Sequence, residues 1–278
     1  MQKASSSKVF QFSEFSGKWA LITGATSGIG EAFAQILARN GTNLLLTGRQ
    51  KEKLKVQQEE FIGKYHILVE IIPLDLADPS SSQMIFDFCQ KKEILISVLI
   101  NNAGYALRTQ DEFCSPEKVS SMLQVMVVSL TELCNRFIVP MKQVNQGWIL
   151  NVSSIVGFVP AASTLTYCAS KRYIIDYSRY LHYELKREGI KVTCLLPGPT
   201  ITNFSKNNSL PIPKKLLFFY ISAEKVALLG LTALSKGRVS IVSGGTSRMI
   251  VWISKLIPPS WLYQVQKKIW VKKRDLYC

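Results

Sequence analysis

Apolar residues are grouped along the chain in short continuous runs, and amphipathic stretches separate the runs. Residues 19–23 read as a short buried strand, followed by a glycine-rich turn and a helix over about 28–39. Gly41 stands where a helix C-cap glycine belongs. The run at 42–49 predicts a second strand, the charged stretch 50–64 a helix, and 67–74 a third strand. Asp78 and Pro79 signal the start of a helix that reaches about 91. Further strands are expected at 94–100, 147–154, 190–198 and 239–243, with helices at 116–141, 167–189 and 222–236 between them.

Strands alternating with helices predict a parallel sheet with helices on both faces. The strands are almost wholly apolar, as burial on two sides requires. The expected fold is therefore α/β: a doubly wound parallel sheet, plus a C-terminal amphipathic helical extension. The expected organisation is an N-terminal arm at 1–16, one α/β domain at 17–243, and an apolar and basic extension at 244–278. A length of 278 residues with 47% apolar or aromatic residues is enough for a substantial core, and 19% charge is too little for a disordered chain.

The net charge of +15 points to an anionic partner: a nucleic acid, a phosphorylated cofactor or an anionic membrane surface. No reading helix or aromatic RNA platform is recognisable, so nucleic acid is not an expected partner. Six cysteines lie far apart with no C-x-x-C pair, which argues against a zinc site and leaves the metal complement at none. Residues 1–18 lack the apolar stretch of a secretory signal, so the expected location is the cytoplasm. No segment offers the ~18 uninterrupted apolar residues of a spanning helix.

The turn Gly24-Ala25-Thr26-Ser27-Gly28-Ile29-Gly30 lies between a strand and a helix. Glycine there lets the backbone approach a pyrophosphate, and the helix N-terminus offers free N–H groups to it. Its spacing is G-x-x-x-G-x-G rather than G-x-G-x-x-G. The second strand ends in Gly48 and Arg49, without the acidic residue that binds a ribose 2′-hydroxyl. The planar donors of Arg49 suit a 2′-phosphate, so the expected cofactor is NADP(H).

Four more motifs follow in order: "NNAG" at 101–104, "NVSS" at 151–154, "YCASK" at 167–171 and "PGPTIT" at 197–202. Together with "TGATSGIG" at 23–30, they resemble the short-chain dehydrogenase/reductase family over about residues 17–243. Within it the chain resembles the branch of 17-beta-hydroxysteroid dehydrogenases and 3-oxoacyl reductases. The resemblance implies a Rossmann-type fold and a homodimer or homotetramer built through the two long helices.

A carbonyl that accepts hydride develops negative charge on oxygen and needs a proton donor and hydrogen bonds aimed at it. Tyr167 can donate that proton. Lys171, one helical turn later on the same face, is expected to favour the phenolate and lower the phenol's pKa. Resemblance assigns the catalytic serine to Ser154 rather than Ser153 and has Lys171 hold the nicotinamide ribose. It also implies that Asp75 and Leu76 meet the adenine, that Asn102, Ala103 and Gly104 line the adenosine side, and that the Ile29 N–H meets the pyrophosphate. Pro197, Gly198 and Thr202 would pack on the nicotinamide and bond its carboxamide, while Asn151 would be structural.

One position departs from the family. Most members carry an asparagine in the helix after "NNAG", where it bends the helix and holds a water of a proton relay. Here that position is Met126, whose thioether accepts weakly and donates nothing. Either backbone and water complete the relay, or catalysis is slowed or specialised. A catalytically weak NADP(H)-binding sensor or assembly protein stays open as the second reading, with Met126 its sole support.

In this family the segment after "PGPTIT" sets the substrate, and here 203–220 contains the apolar run "LLFFY". An apolar lid suits a lipid, steroid or fatty acyl carbonyl. In the extension, Trp252, Trp261 and Trp270 punctuate apolar runs among Lys255, Lys267, Lys268, Lys272, Lys273 and Arg274. This pattern suits a membrane interface contacted through residues 246–274, or a helix that covers the lid of its own or a partner subunit. The expected activity is NADPH-dependent reduction of a small lipophilic carbonyl, or oxidation of the alcohol in reverse.

Overall fold

The structure, a computed structural model, describes residues 12–107, 115–159, 164–202 and 220–258, with 260, 261 and 264. Seven parallel strands form one sheet in the order β3-β2-β1-β4-β5-β6-β9. They are β1 (Trp19–Thr23), β2 (Asn43–Gly48), β3 (Val69–Pro73), β4 (Ile96–Asn101), β5 (Gly147–Val152), β6 (Ile190–Leu196) and β9 (Ser240–Val242). Two short strands, β7 (Thr200–Ile201) and β8 (Ile221–Ser222), pair separately. The strand order reverses between β1 and β4, which opens a crevice at the carboxyl edge of the sheet.

Alternation along each strand divides the core in two. Ala20, Ile22, Leu44, Leu46, Ile100 and Leu150 pack under α1 (Gly28–Arg39), α2 (Lys51–Tyr65) and α7 (Ala223–Ser235). Leu21, Leu45, Leu99 and Ile149 pack under α3 (Ser81–Lys91), α5 (Ser129–Gln143) and α6 (Leu165–Leu185). The expected doubly wound sheet is thus present. Phe12 and Phe15 are buried in the first core, and Phe15 meets Trp148 edge-on, so the chain joins the fold before residue 17.

The single helix expected over 116–141 is two helices, α4 (Pro116–Leu123) and α5, joined by a π-helical turn at Gln124–Val128. Period-3.6 patterning continues across such a turn, so sequence alone does not reveal it. By length and composition the span Pro116–Gln143 could cross a membrane, but half of its apolar window is buried inside the fold. The strand expected to 154 ends at Val152, which frees Ser153 and Ser154 from the ladder. After β9 comes α8 (Gly245–Ser254). Of the expected lid at 203–220 all but Tyr220 lies outside the described residues, as does most of the extension beyond Pro258.

Candidate active site

The motifs converge because parallel pairing aligns strand ends. Asn101 on β4 pairs with Asn151 on β5, and Val152 pairs with Leu195 on β6. Each motif therefore leaves the sheet on the same side. Around these ends lies a cleft of about 690 Å³, lined at one end by Gly24, Thr26, Ser27, Gly28, Ile29 and Arg49 and at the other by Ser154, Tyr167 and Lys171. Asp75, Leu76, Asn102, Ala103, Gly104, Pro197, Gly198 and Thr202 also line it.

Gly24 and Gly28 adopt φ of +66° and +61°, which glycine alone reaches without strain. Gly30 plays a different part. It does not line the cleft, and a Cβ there would collide with the Gly24 carbonyl and the Asn102 amide. Its role is to let α1 sit against the turn. Asn102 Nδ2 donates to the Thr23 carbonyl at 3.0 Å, and the Thr23 hydroxyl accepts from the backbone N–H groups of Asn102 and Ala103. Thr23 thus clamps the two motifs together, a role that its ordinary place at a strand end does not announce.

At the adenosine end, Arg49 Nη1 lies 3.8 Å from Asp75 Oδ2, with both side chains largely exposed. Asp75 also accepts from the Ala77 N–H at 3.0 Å, which shapes the turn after β3. The guanidinium is held over the cleft by a loose, solvent-screened contact and keeps donors free.

At the catalytic end the two serines diverge. Ser153 donates to the Lys171 carbonyl at 2.7 Å and steadies α6. Ser154 lies 3.5 Å from the Pro197 carbonyl and is a hydrogen-bond partner of Tyr167. Lys171, only 4% exposed, donates to the Val152 carbonyl at 2.9 Å, and its Nζ lies 5.5 Å from the centre of the Tyr167 ring. Burial lowers its pKa to about 8, with Cys194 pulling the other way. The expected lowering of Tyr167 is reversed. Burial pushes the phenol above its ordinary value, Cys168 adds to this, and the Ser154 hydrogen bond opposes it. Removing the phenol from water penalises the phenolate, and this is the largest cause of the shift.

Met126 is 1% exposed and lies in the π-helical turn. The helix is irregular here without an asparagine. A Cβ on Gly104 would lie 3.2 Å from Met126 Sδ and 3.6 Å from Lys171 Nζ, so both side chains crowd the same glycine. Asn151 is fully buried, accepting from Asn101 at 2.9 Å and donating to Ser178 at 3.0 Å, as a structural residue would. Tyr105 and Val125 also line the cleft without a sequence expectation, and so does Tyr220, the last residue of the expected apolar run "LLFFY". Tyr105 directly follows "NNAG", the one cue available, and its hydroxyl donates to Ser121 at 3.0 Å.

The family model for short chain dehydrogenase matches residues 18–211, and the chain belongs to that family. It is an oxidoreductase of the kind that acts on hydroxyl and keto groups. The chain is 29% identical over 258 residues to the very-long-chain 3-oxoacyl-CoA reductase of Anas platyrhynchos, covering 91% of this chain and 80% of that protein. Very-long-chain 3-oxoacyl-CoA reductase-B of Danio rerio is 31% identical, covering 80% of this chain and 71% of that one. Among solved structures, a 7beta-hydroxysteroid dehydrogenase superposes with a TM-score of 0.84 over 91% of this chain and 98% of its own at 22% identity, a likeness of fold. A short-chain dehydrogenase from Sphingobium yanoikuyae in complex with NADPH has a TM-score of 0.76 at 25% identity, over 86% of this chain and 93% of that one.

Proposed function

We propose that the protein is an NADPH-dependent reductase of a lipophilic ketone, with Ser154, Tyr167 and Lys171 as its catalytic residues. The observation that carries this reading is their convergence on one wall of the cleft whose far end holds the glycine turn and Arg49. The residues fit a dinucleotide. Gly24 and Gly28 leave backbone open for a pyrophosphate, Ile29 offers an N–H at the start of α1, and Arg49 stands ready for a 2′-phosphate. Asp75, Leu76, Asn102, Ala103 and Gly104 would flank the adenosine, and Pro197, Gly198 and Thr202 the nicotinamide. When bound there, the nicotinamide supplies the hydride for the carbonyl carbon.

The remaining chemistry belongs to the chain. Ser154 orients the carbonyl oxygen and stabilises charge as it forms. Tyr167 donates the proton, and burial keeps its phenol protonated at neutral pH, which suits the reducing direction. Lys171 holds a positive charge beside the phenol until about pH 8.

The substrate class rests on similarity to 3-oxoacyl-CoA reductases and on the apolar segment at 203–220. The enzyme is read as an oligomer, peripheral to a membrane on its cytoplasmic side through residues 246–274. The test is NADPH oxidation against 3-oxoacyl thioesters, ketosteroids and sphingoid ketones. Turnover of at least one class, lost in Tyr167→Phe, is expected. NADPH binding without turnover of any of them would favour the sensor reading instead.

A further inference from the structure

The helix α8 is amphipathic in the wrong sense for a helix that serves only its own core. Its buried face is Ser247, Val251 and Ser254. Its outward face carries Met249, Trp252 and Ile253, spaced i, i+3 and i+4, and Leu256 follows in the turn after it, with Trp252 64% and Leu256 68% exposed. Further along the chain Trp261 is 67% exposed as well. An apolar stripe of this size turned to solvent marks an interaction surface.

Charge selects the occupant. Lys255, Arg172 and Arg179 each place a cation 5.4–5.6 Å from the centre of the Phe158 ring, and Arg248 is exposed on the same helix. Among the described residues the carboxylate bridging this group is Asp176, which pairs with Arg172 at 2.7 Å and Arg179 at 3.4 Å. Residues 244–258 contain no acidic residue. A second copy seated by two-fold symmetry would meet cation with cation, since such an interface must complement itself. An anionic bilayer complements both the charge and the apolar stripe, with tryptophan at the interface depth.

The stripe also adjoins the cleft. Ser247, on the inner face of α8, packs against Gly198, and Ser243 accepts from the Gly198 N–H at 3.2 Å. Gly244 abuts Ile221, the neighbour of the cleft residue Tyr220, and Phe158 follows the cleft residues Ser154, Ile155 and Val156.

We infer that α8 seats the mouth of the active-site cleft on an anionic bilayer, so that the ketone enters from the membrane rather than from water. This rests on the ketone-reductase reading for its substrate, but the docking surface does not. The test uses the full chain with phosphatidylcholine vesicles, with and without about a third phosphatidylserine, and the double variant Trp252→Glu/Leu256→Glu. Flotation of the wild type with anionic vesicles is expected, with at least a tenfold weaker partition for the variant. Reduction of a ketone dissolved in those vesicles should fall tenfold in the variant, while reduction of a water-soluble ketone stays unchanged. Equal flotation of both proteins, or conversion of an oligomer to monomers by the double substitution, would overturn the docking surface. Loss of flotation with no change on the vesicle-borne ketone would overturn entry from the membrane. Flotation of the wild type with no ketone turnover at all would sink the reductase reading and leave the surface standing.

Discussion

Lys171 donates from Nζ to the backbone carbonyl of Val152 across 2.9 Å, within a site that holds the lysine 4% exposed. Burial lowers its pKa from 10.5 to about 8. Between those values the unfolded chain binds more protons than the folded one at this group. Its contribution to stability therefore rises with pH from about 8 to 10.5, and the cost of burying the charge is fully present below about 8. For catalysis the sign is opposite. The charge that supports proton donation by Tyr167 is lost as pH rises through about 8. The kcat/KM for reduction should be level below that pH and fall above it, with oxidation favoured there. A profile flat from about pH 6 to 10 would contradict this.

Replacing Tyr167 by Phe removes the proton donor and leaves the ring. Turnover should fall by about 10²–10⁴-fold, while NADPH binding followed by nucleotide fluorescence persists. Ser154→Ala should cost roughly 10²–10³-fold, as for a removed hydrogen bond to a developing oxyanion. Ser153→Ala should act chiefly on stability, because its hydroxyl is spent on the Lys171 carbonyl.

Met126 and Lys171 crowd the same glycine, so a polar group at 126 would reach the lysine's surroundings. Met126→Asn should raise turnover if proton supply is impaired, and should move the alkaline limb of the pH profile upward by hydrating the ammonium. An unchanged rate and limb would show that backbone and water already complete the path.

Arg49 is the cationic guanidinium lining the adenosine end. Arg49→Ala should raise the KM for NADPH roughly 10–100-fold, the size of one or two charge-assisted hydrogen bonds, and leave that for NADH nearly unmoved. Equal effects on both cofactors would remove the argument for a 2′-phosphate contact.

Gly30→Ala would press a methyl group into the Gly24 carbonyl and the Asn102 amide. The expected cost is about 1–3 kcal/mol or more, read as a lower midpoint of thermal unfolding. Gly63→Ala, where a Cβ meets nothing within 4 Å, is the control that should be neutral or stabilising.

Read from its residues, the chain already disclosed the alternation of strands and helices, the glycine turn, and the spacing of Ser154, Tyr167 and Lys171. Each is a local property: a period of apolar positions, a turn that only glycine accepts, a separation of one helical turn. Other features depend on groups distant in sequence. Thr23 serves as a clamp only because β1 and β4 are neighbours, 77 residues apart at the Thr23–Ile100 contact. Ser153 and Ser154 are adjacent and chemically alike, and beyond the end of β5 at Val152 one meets the Lys171 backbone carbonyl of α6 and the other the Tyr167 phenol. A charge four residues away predicts a lowered phenol pKa, yet tertiary burial of the phenol itself sets the direction upward. The outward apolar face of α8 likewise follows from what packs against its other side, which no periodicity can specify.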